Sequence, residues 1–158
     1  MKFDESLKQN APYMHPNFNR RYVKFYLTFK VSIDTFMGKY MNRPTHKELN
    51  SKILQAKNAA SEGLISILEP IVIAADAIAL GYLVAEIREV ILEILDELNP
   101  NYYAGSYPPQ KSYEEAIKGS EIFAFRWVSQ RFGCDTYFKF ALVQGRLWII
   151  SFHEHREN

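Results

Sequence analysis

From Tyr22 to Ile33 apolar and polar residues alternate without a break. Val23, Phe25, Leu27, Phe29, Val31 and Ile33 fall on one side, and Tyr22, Lys24, Tyr26, Thr28, Lys30 and Ser32 on the other. A period of two over this length suits a half-buried strand and gives a helix nothing to bury. Residues 1–21, with Pro12 and Pro16 and no period, are expected to form an irregular arm.

After Pro44 the period changes. Thr45 and Glu48 have the spacing of a capping box, and Leu49, Ile53, Ala56, Ala60, Leu64 and Ile67 follow with helical spacing. Pro70 is expected to end or kink this helix. Residues 71–98 read as one long helix or two shorter ones broken near Gly81. Leu83, Ile87, Val90, Ile91, Ile94 and Leu98 form the buried stripe of the second half, with the acids outside. The helical layer thus covers 45–98, and residues 99–111, rich in Pro and Tyr, make a connector. Ser112 and Glu115 repeat the capping-box spacing and predict a short helix to Lys118, stopped by Gly119. Three strands complete the chain, at 122–130, 136–143 and 146–155, with turns at Phe132–Gly133 and Gln144–Gly145. Together these elements predict one α+β domain over 1–158. Its order is β-α-α-(α)-β-β-β, with an antiparallel sheet of about four strands and helices packed on one face.

Alternation then sorts the last three strands. Phe123, Phe125, Trp127, Phe138, Phe140, Leu142, Trp148, Ile150 and Phe152 are expected to face the helices. Ala124, Arg126, Val128, Tyr137, Lys139, Ala141, Ile149, Ser151, His153 and His155 are expected on the open face, joined by Tyr22, Lys24, Tyr26 and Lys30 of the first strand. A β-bulge would move part of this set.

Composition narrows the class without choosing a function. A hydrophobic content of 47% and a charged content of 23% belong to a globular chain. The aromatics are nearly all Tyr and Phe, which suit both a sheet core and a base-stacking surface. A formal charge of +1 argues against a general polyanion binder. The distribution is uneven, however. Residues 118–158 hold six Lys/Arg against four acids, whereas 86–97 carry five acids and only Arg88. A basic sheet beside an acidic helix would still attract an anion locally. The single cysteine, Cys134, excludes an intrachain disulfide, and Met1 to Arg21 lacks the apolar run of a signal peptide. Leu64–Ala85 is long enough to span a bilayer, but Glu69, Pro70 and Asp76 interrupt it, so a buried helix pair is expected, with no membrane and a cytoplasmic location.

The open face carries the candidate chemistry. RNA cleavage without a metal needs one group to take the 2′-hydroxyl proton, another to protonate the leaving 5′-oxygen, and cations at the phosphate. His153 and His155 stand two residues apart on one strand face, and an imidazole is the side chain best suited to take or give a proton near neutral pH. Tyr137 can stack or donate a proton, and Arg126 and Lys139 can hold the phosphate. The same residues also suit a plain solvated sheet face. Zinc on His153 and His155 would need a third ligand from His15, His46, Cys134 or a distant carboxylate, and no spacing supports one.

Residues 137–157, YFKFALVQGRLWIISFHEHRE, resemble the closing hairpin of RelE/ParE-superfamily toxin ribonucleases. They are most similar to the motility-quorum-sensing-regulator branch, whose last strands follow a Tyr-apolar-Lys…apolar-Ser-Phe-basic-Glu-basic pattern. The pair His155-Arg156 is similar to the His-Arg pair that often ends such a hairpin. The resemblance implies an endoribonuclease that cuts mRNA, usually on the ribosome, without metal or other cofactor, and that a cognate antitoxin or immunity protein neutralises. It matches Tyr137 to the family's functional tyrosine, and His153, His155 or Arg156 to a basic residue of the final strand. The candidate RNA contacts are Arg126, Lys139 and Lys24, from their places on the open face, and Arg156. The chain departs from the family in its long helical insertion and N-terminal arm. A second expectation, of a different class, is a non-enzymatic interaction module of the immunity, antitoxin or phage-inhibitor kind. It would use the helices over 64–98 to bind a partner or a second copy as a homodimer. A third is a ligand pocket between helices and sheet, lined by Tyr, Trp and a few polar groups.

Overall fold

A computed structural model describes residues 43–155, which fall within one compact unit, Asn42–Asn158. The arm, the strand expected at 22–33 with Lys24, and Arg156 lie outside the described residues.

The first helix, α1 (His46–Ser61), begins as its sequence requires. The Thr45 hydroxyl accepts from the Glu48 amide at 3.2 Å, and the Glu48 carboxylate accepts from the Thr45 amide at 2.6 Å. These bonds hold the Glu48 carboxyl below the usual carboxylate range. The helix stops earlier than the apolar stripe predicts. Gly63 takes a left-handed φ of 72°, its amide donates to Ala60 O, and the Leu64 amide donates to Ala59 O. This Schellman closure satisfies the last carbonyls and turns the chain. Leu64 and Ile67 therefore leave the helix, and Ile65–Ile67 forms a strand, β1.

Pro70 corrects the expectation a second time. It starts a helix, α2 (Pro70–Leu80), where a missing amide hydrogen costs nothing. Gly81, at φ 80°, ends α2 where the break was expected. A 3₁₀ turn (Val84–Glu86) leads into α3 (Ile87–Glu97), which buries Val90, Ile91, Ile94 and Leu95. Leu83, assigned to that stripe from sequence, is exposed. The short helix expected at 112–118 is a single 3₁₀ turn, Glu115–Ile117, because the Ser112 hydroxyl accepts from the Glu114 amide and no capping box forms.

Three strands follow, β2 (Ile122–Val128), β3 (Asp135–Val143) and β4 (Arg146–Glu154). Gln144 and Gly145 both have positive φ in the two-residue turn between β3 and β4, as such hairpins demand. The fold is α+β. The sheet order is β1-β4-β3-β2, antiparallel except for the parallel pair β1–β4, with α1, α2 and α3 packed on one face. Among the described residues the fourth strand is β1, a segment expected to be helical.

The core joins Leu49, Ile53, Ile73, Ile91 and Ile94 of the helices to Phe125, Phe138, Phe140, Leu147, Ile149 and Phe152 of the sheet. One irregularity decides which residues of β4 belong to it. Lys139 pairs with Ser151, but Phe140 pairs with Ile149, so Ile150 is an extra residue. This bulge reverses the faces upstream of it. Leu147 and Ile149 are fully buried, whereas Trp148 and Ile150, expected in the core, are only partly buried. The connector 99–111 covers the outer edge of β2. The Ala104 amide donates to Ala124 O, and the Ile122 amide to Gln110 O. Pairing an edge in this way removes a template for aggregation. Among the described residues no single helix is long and apolar enough to cross a membrane.

Candidate active site on the sheet

Register places Arg126, Tyr137 and His153 in one row across β2, β3 and β4. The next row along the strands holds Ala124, Lys139 and Ser151. All six lie on the face away from the helices. Downstream of the bulge, then, the structure brings together the residues that alternation assigned to that face.

Tyr137 and His153 are stacked, with ring centroids 5.3 Å apart and planes 27° from parallel. The His155 ring lies 6.5 Å from Tyr137. His155 stands just past β4, and its amide donates to Asp135 O at 2.6 Å, which continues the ladder by one bond. The His153 ring has a defined polarity. Its Nδ1 lies 2.7 Å from the carbonyl oxygen of Glu154. A carbonyl only accepts, so Nδ1 carries the hydrogen and the Nε2 lone pair is left for other chemistry. Burial pushes the Tyr137 phenol above its ordinary pKa, so it stays protonated and able to donate at neutral pH.

The cations are not equivalent. Arg126 donates Nε and Nη2 to one oxygen of Asp135, at 2.8 and 2.5 Å. Asp135 is held below the usual carboxylate range, chiefly by this hydrogen bonding and further by the charge of Arg126 and by His155. The charge of Arg126, which sequence offered as a phosphate contact, is thus shared with an acid. Among the described residues Lys139 has no acidic partner, so it is the cation available beside the Tyr137–His153 stack.

The same face extends past the bulge to residues that sequence placed elsewhere. Trp148 pairs with Ala141 on β3 and with Ser66 on β1. Arg146 donates Nη1 to Ile65 O and Ser66 Oγ, at 3.2 and 3.3 Å, and ties β1 to the sheet. Leu147 to Ile150 is apolar at every position, so alternation there carries no signal.

Glu97, counted from sequence among the outer acids of its helix, turns inward. It accepts from Trp127 Nε1 at 2.7 Å and from the amides of Gln130 and Arg131 at 3.1 and 2.9 Å. Burial raises its pKa, but these bonds outweigh burial and leave it below the ordinary value. Glu97 thereby anchors the β2–β3 turn, and its neighbour Glu93 pairs with Arg131.

Comparison with protein-family models and with curated proteins finds no match to this chain. The site therefore stands on its own geometry. Among the described residues no group of three or more His, Cys, Asp or Glu is placed to hold a metal. A groove of about 420 Å³ lies between α1 and the β3–β4 turn, lined by Lys52, Gln55, Asn58, Ala59, Glu62, Leu142, Gln144 and Gly145. It contains neither Tyr nor Trp, unlike the pocket expected from sequence.

Proposed function

We propose that the chain is a toxin-like, metal-independent endoribonuclease acting on RNA at the open sheet face. The observation that carries this reading is the Tyr137–His153 stack, with His155 at its edge and, one row away, Lys139, which has no acidic partner among the described residues. In the proposed reaction His153 Nε2 takes the proton from a ribose 2′-hydroxyl. The freed oxygen attacks the adjacent phosphorus, the bond to the 5′-oxygen breaks, and that oxygen takes a proton from His155 in its charged form. The products are a 2′,3′-cyclic phosphate and a 5′-hydroxyl, with no net change in protons. Lys139 offsets charge gathering on the phosphoryl oxygens, and the Tyr137 phenol donates a hydrogen bond to one of them. Trp148 supplies a second flat surface on which a neighbouring base can stack.

Incubating the purified protein with single-stranded RNA in EDTA tests the reading. Fragments ending in 2′,3′-cyclic phosphate are expected from the wild type and not from His153→Ala or His155→Ala. Expression in bacteria should arrest growth, and Tyr137→Phe should relieve the arrest. RNA left intact by the wild-type chain would falsify the proposal.

A further inference from the structure

Arg146, Trp148 and Ser66 stand together on the sheet face that carries the Tyr137–His153 stack, at its far end. The bulge at Ile150 puts them there. With Leu147 and Ile149 turned to the core, Arg146 and Trp148 point the other way. Ser66 pairs with Trp148 and lies between Ile65 and Ile67, which pack against the core. All three are partly buried, so their neighbours hold the side chains while part of each stays open.

Two observations set this end of the face apart from a plain wet surface. The first is the Arg146 guanidinium. Its Nη1 donates to Ile65 O at 3.2 Å and to Ser66 Oγ at 3.3 Å, both neutral acceptors. Among the described residues it takes part in no ion pair. Its charge is therefore oriented without being offset, and its remaining N–H groups suit a phosphate. The second is spacing. Trp148 pairs with Ala141, four residues along β3 from Tyr137, a span of about 13 Å by strand rise. Lys139 lies between them on the same strand. Rings at both ends with a cation beside each form a line parallel to β4, and such lines take single strands of about four nucleotides or more. Duplex RNA keeps its bases stacked on one another and offers neither ring a face.

We infer that Trp148 and Arg146 form a second nucleotide subsite for an unpaired RNA strand laid along β4, in which the indole stacks one base and the guanidinium holds a phosphate beside it. Ser66 orients the guanidinium. The inference rests on the RNA reading of the Tyr137–His153 stack. It adds to that reading the class of substrate, an unpaired strand, and its least length, about four nucleotides.

The test separates binding from cleavage. Labelled RNAs of two, four and eight nucleotides, 2′-O-methylated so that they carry no attacking hydroxyl, are titrated with the full chain by fluorescence anisotropy. The strand of four is expected to bind at least about tenfold more tightly than the strand of two. A duplex of the strand of eight should compete at least about tenfold more weakly than the single strand. Trp148→Leu keeps apolar bulk and loses the flat ring, so it should erase the advantage of four nucleotides over two, and Trp148→Phe should restore most of it. Arg146→Gln should lower the slope of affinity against salt by about one phosphate contact. Melting temperatures establish that each variant is folded; should Trp148→Leu unfold, the salt slope of Arg146→Gln decides. A length advantage untouched by Trp148→Leu, a slope untouched by Arg146→Gln, or equal binding of single and double strands overturns the inference, even where unmodified RNA is cleaved. The expected binding pattern in a chain that leaves unmodified RNA intact upholds the subsite and removes only the cleavage. A chain that binds none of these RNAs loses both.

Discussion

The sheet face away from the helices is half-buried and the outer face of α2 is largely exposed, and they are built on opposite rules. On the sheet, Tyr137 has a ring neighbour, His153 has its Nδ1 hydrogen satisfied, and Arg126 has an acid. On α2, Ile71 and Ile78 are largely exposed, and among the described residues Glu69 and Asp76 take part in no ion pair. An ordered polar surface has already met the entropy cost of holding its side chains, which prepares it for chemistry. An uncovered apolar stripe has solvation energy still to be gained on contact, which suits it to association. On the reading proposed above, the sheet face is suited to chemistry and, by its uncovered apolar surface, the α2 face to association, and each of the following substitutions strains that division.

The largest effect is expected from His153→Ala. If the stack is catalytic, cleavage of RNA falls by about 10²–10⁴-fold, the range of a general acid or base, while the melting temperature barely moves. Lys139→Ala should weaken RNA binding at low salt and reduce the slope of affinity against salt by about one phosphate contact. A loss of activity matched by a loss of folding would instead make the row of Arg126, Tyr137 and His153 a structural feature of the sheet.

Next in size is the contrast across the bulge. Ile149→Ala is expected to cost about 2–5 kcal/mol, because Ile149 is fully buried and its removal leaves a cavity. Ile150→Ala, at the extra residue, should cost less than about 1.5 kcal/mol; urea denaturation of both variants measures the difference. This pair also marks how far the sequence could be read. Where strands alternate strictly, as at Tyr137-Phe138-Lys139 and Ser151-Phe152-His153, faces follow from period two, and the candidate site was legible for that reason. Leu147-Trp148-Ile149-Ile150 is apolar throughout, so nothing in it tells which side is inward, and Trp148 was missed. The α1 terminus was obscured differently. Leu64 and Ile67 continue the helical spacing, while the deciding residue, Gly63, acts through backbone conformation and not through hydrophobicity. Glu97 looked like one of several solvent-facing acids because its donors, Trp127, Gln130 and Arg131, are distant in sequence and only tertiary structure brings them close.

Glu97→Gln sharpens the comparison from beneath the sheet. The carboxylate receives three donors, and neutralising it should cost about 1–2 kcal/mol at neutral pH, allowing for screening of its exposed part. The sign of the pH dependence follows from its lowered pKa. The unfolded chain binds this proton near pH 4.3, and the folded chain holds the carboxylate charged to lower pH. Its stabilisation is complete above about pH 4.3 and is lost as pH falls through the folded value. The stability gap between wild type and Glu97→Gln should therefore close on acidification, as read from melting temperatures at pH 7 and pH 3. A gap that stays constant would show that packing, and not charge, secures the turn.

The smallest effect is the most diagnostic for α2. Ile71→Ser on the isolated chain should change stability by less than about 0.5 kcal/mol, whereas Ile73→Ala, two residues along the same helix, should cost about 2–5 kcal/mol, because Ile73 is fully buried and Ile71 is 86% exposed. A near-zero cost means that folding gains nothing from the isoleucine at position 71, and that its apolar side chain is unused until something covers it. The contrast therefore separates the inner row of α2, which holds the helix on the sheet, from the outer row, which is free to bind. A cost at Ile71 approaching that at Ile73 would mean that the outer row is already packed within the protein, and the division between a chemical face and a binding face would then fail at the helix while leaving the sheet untouched.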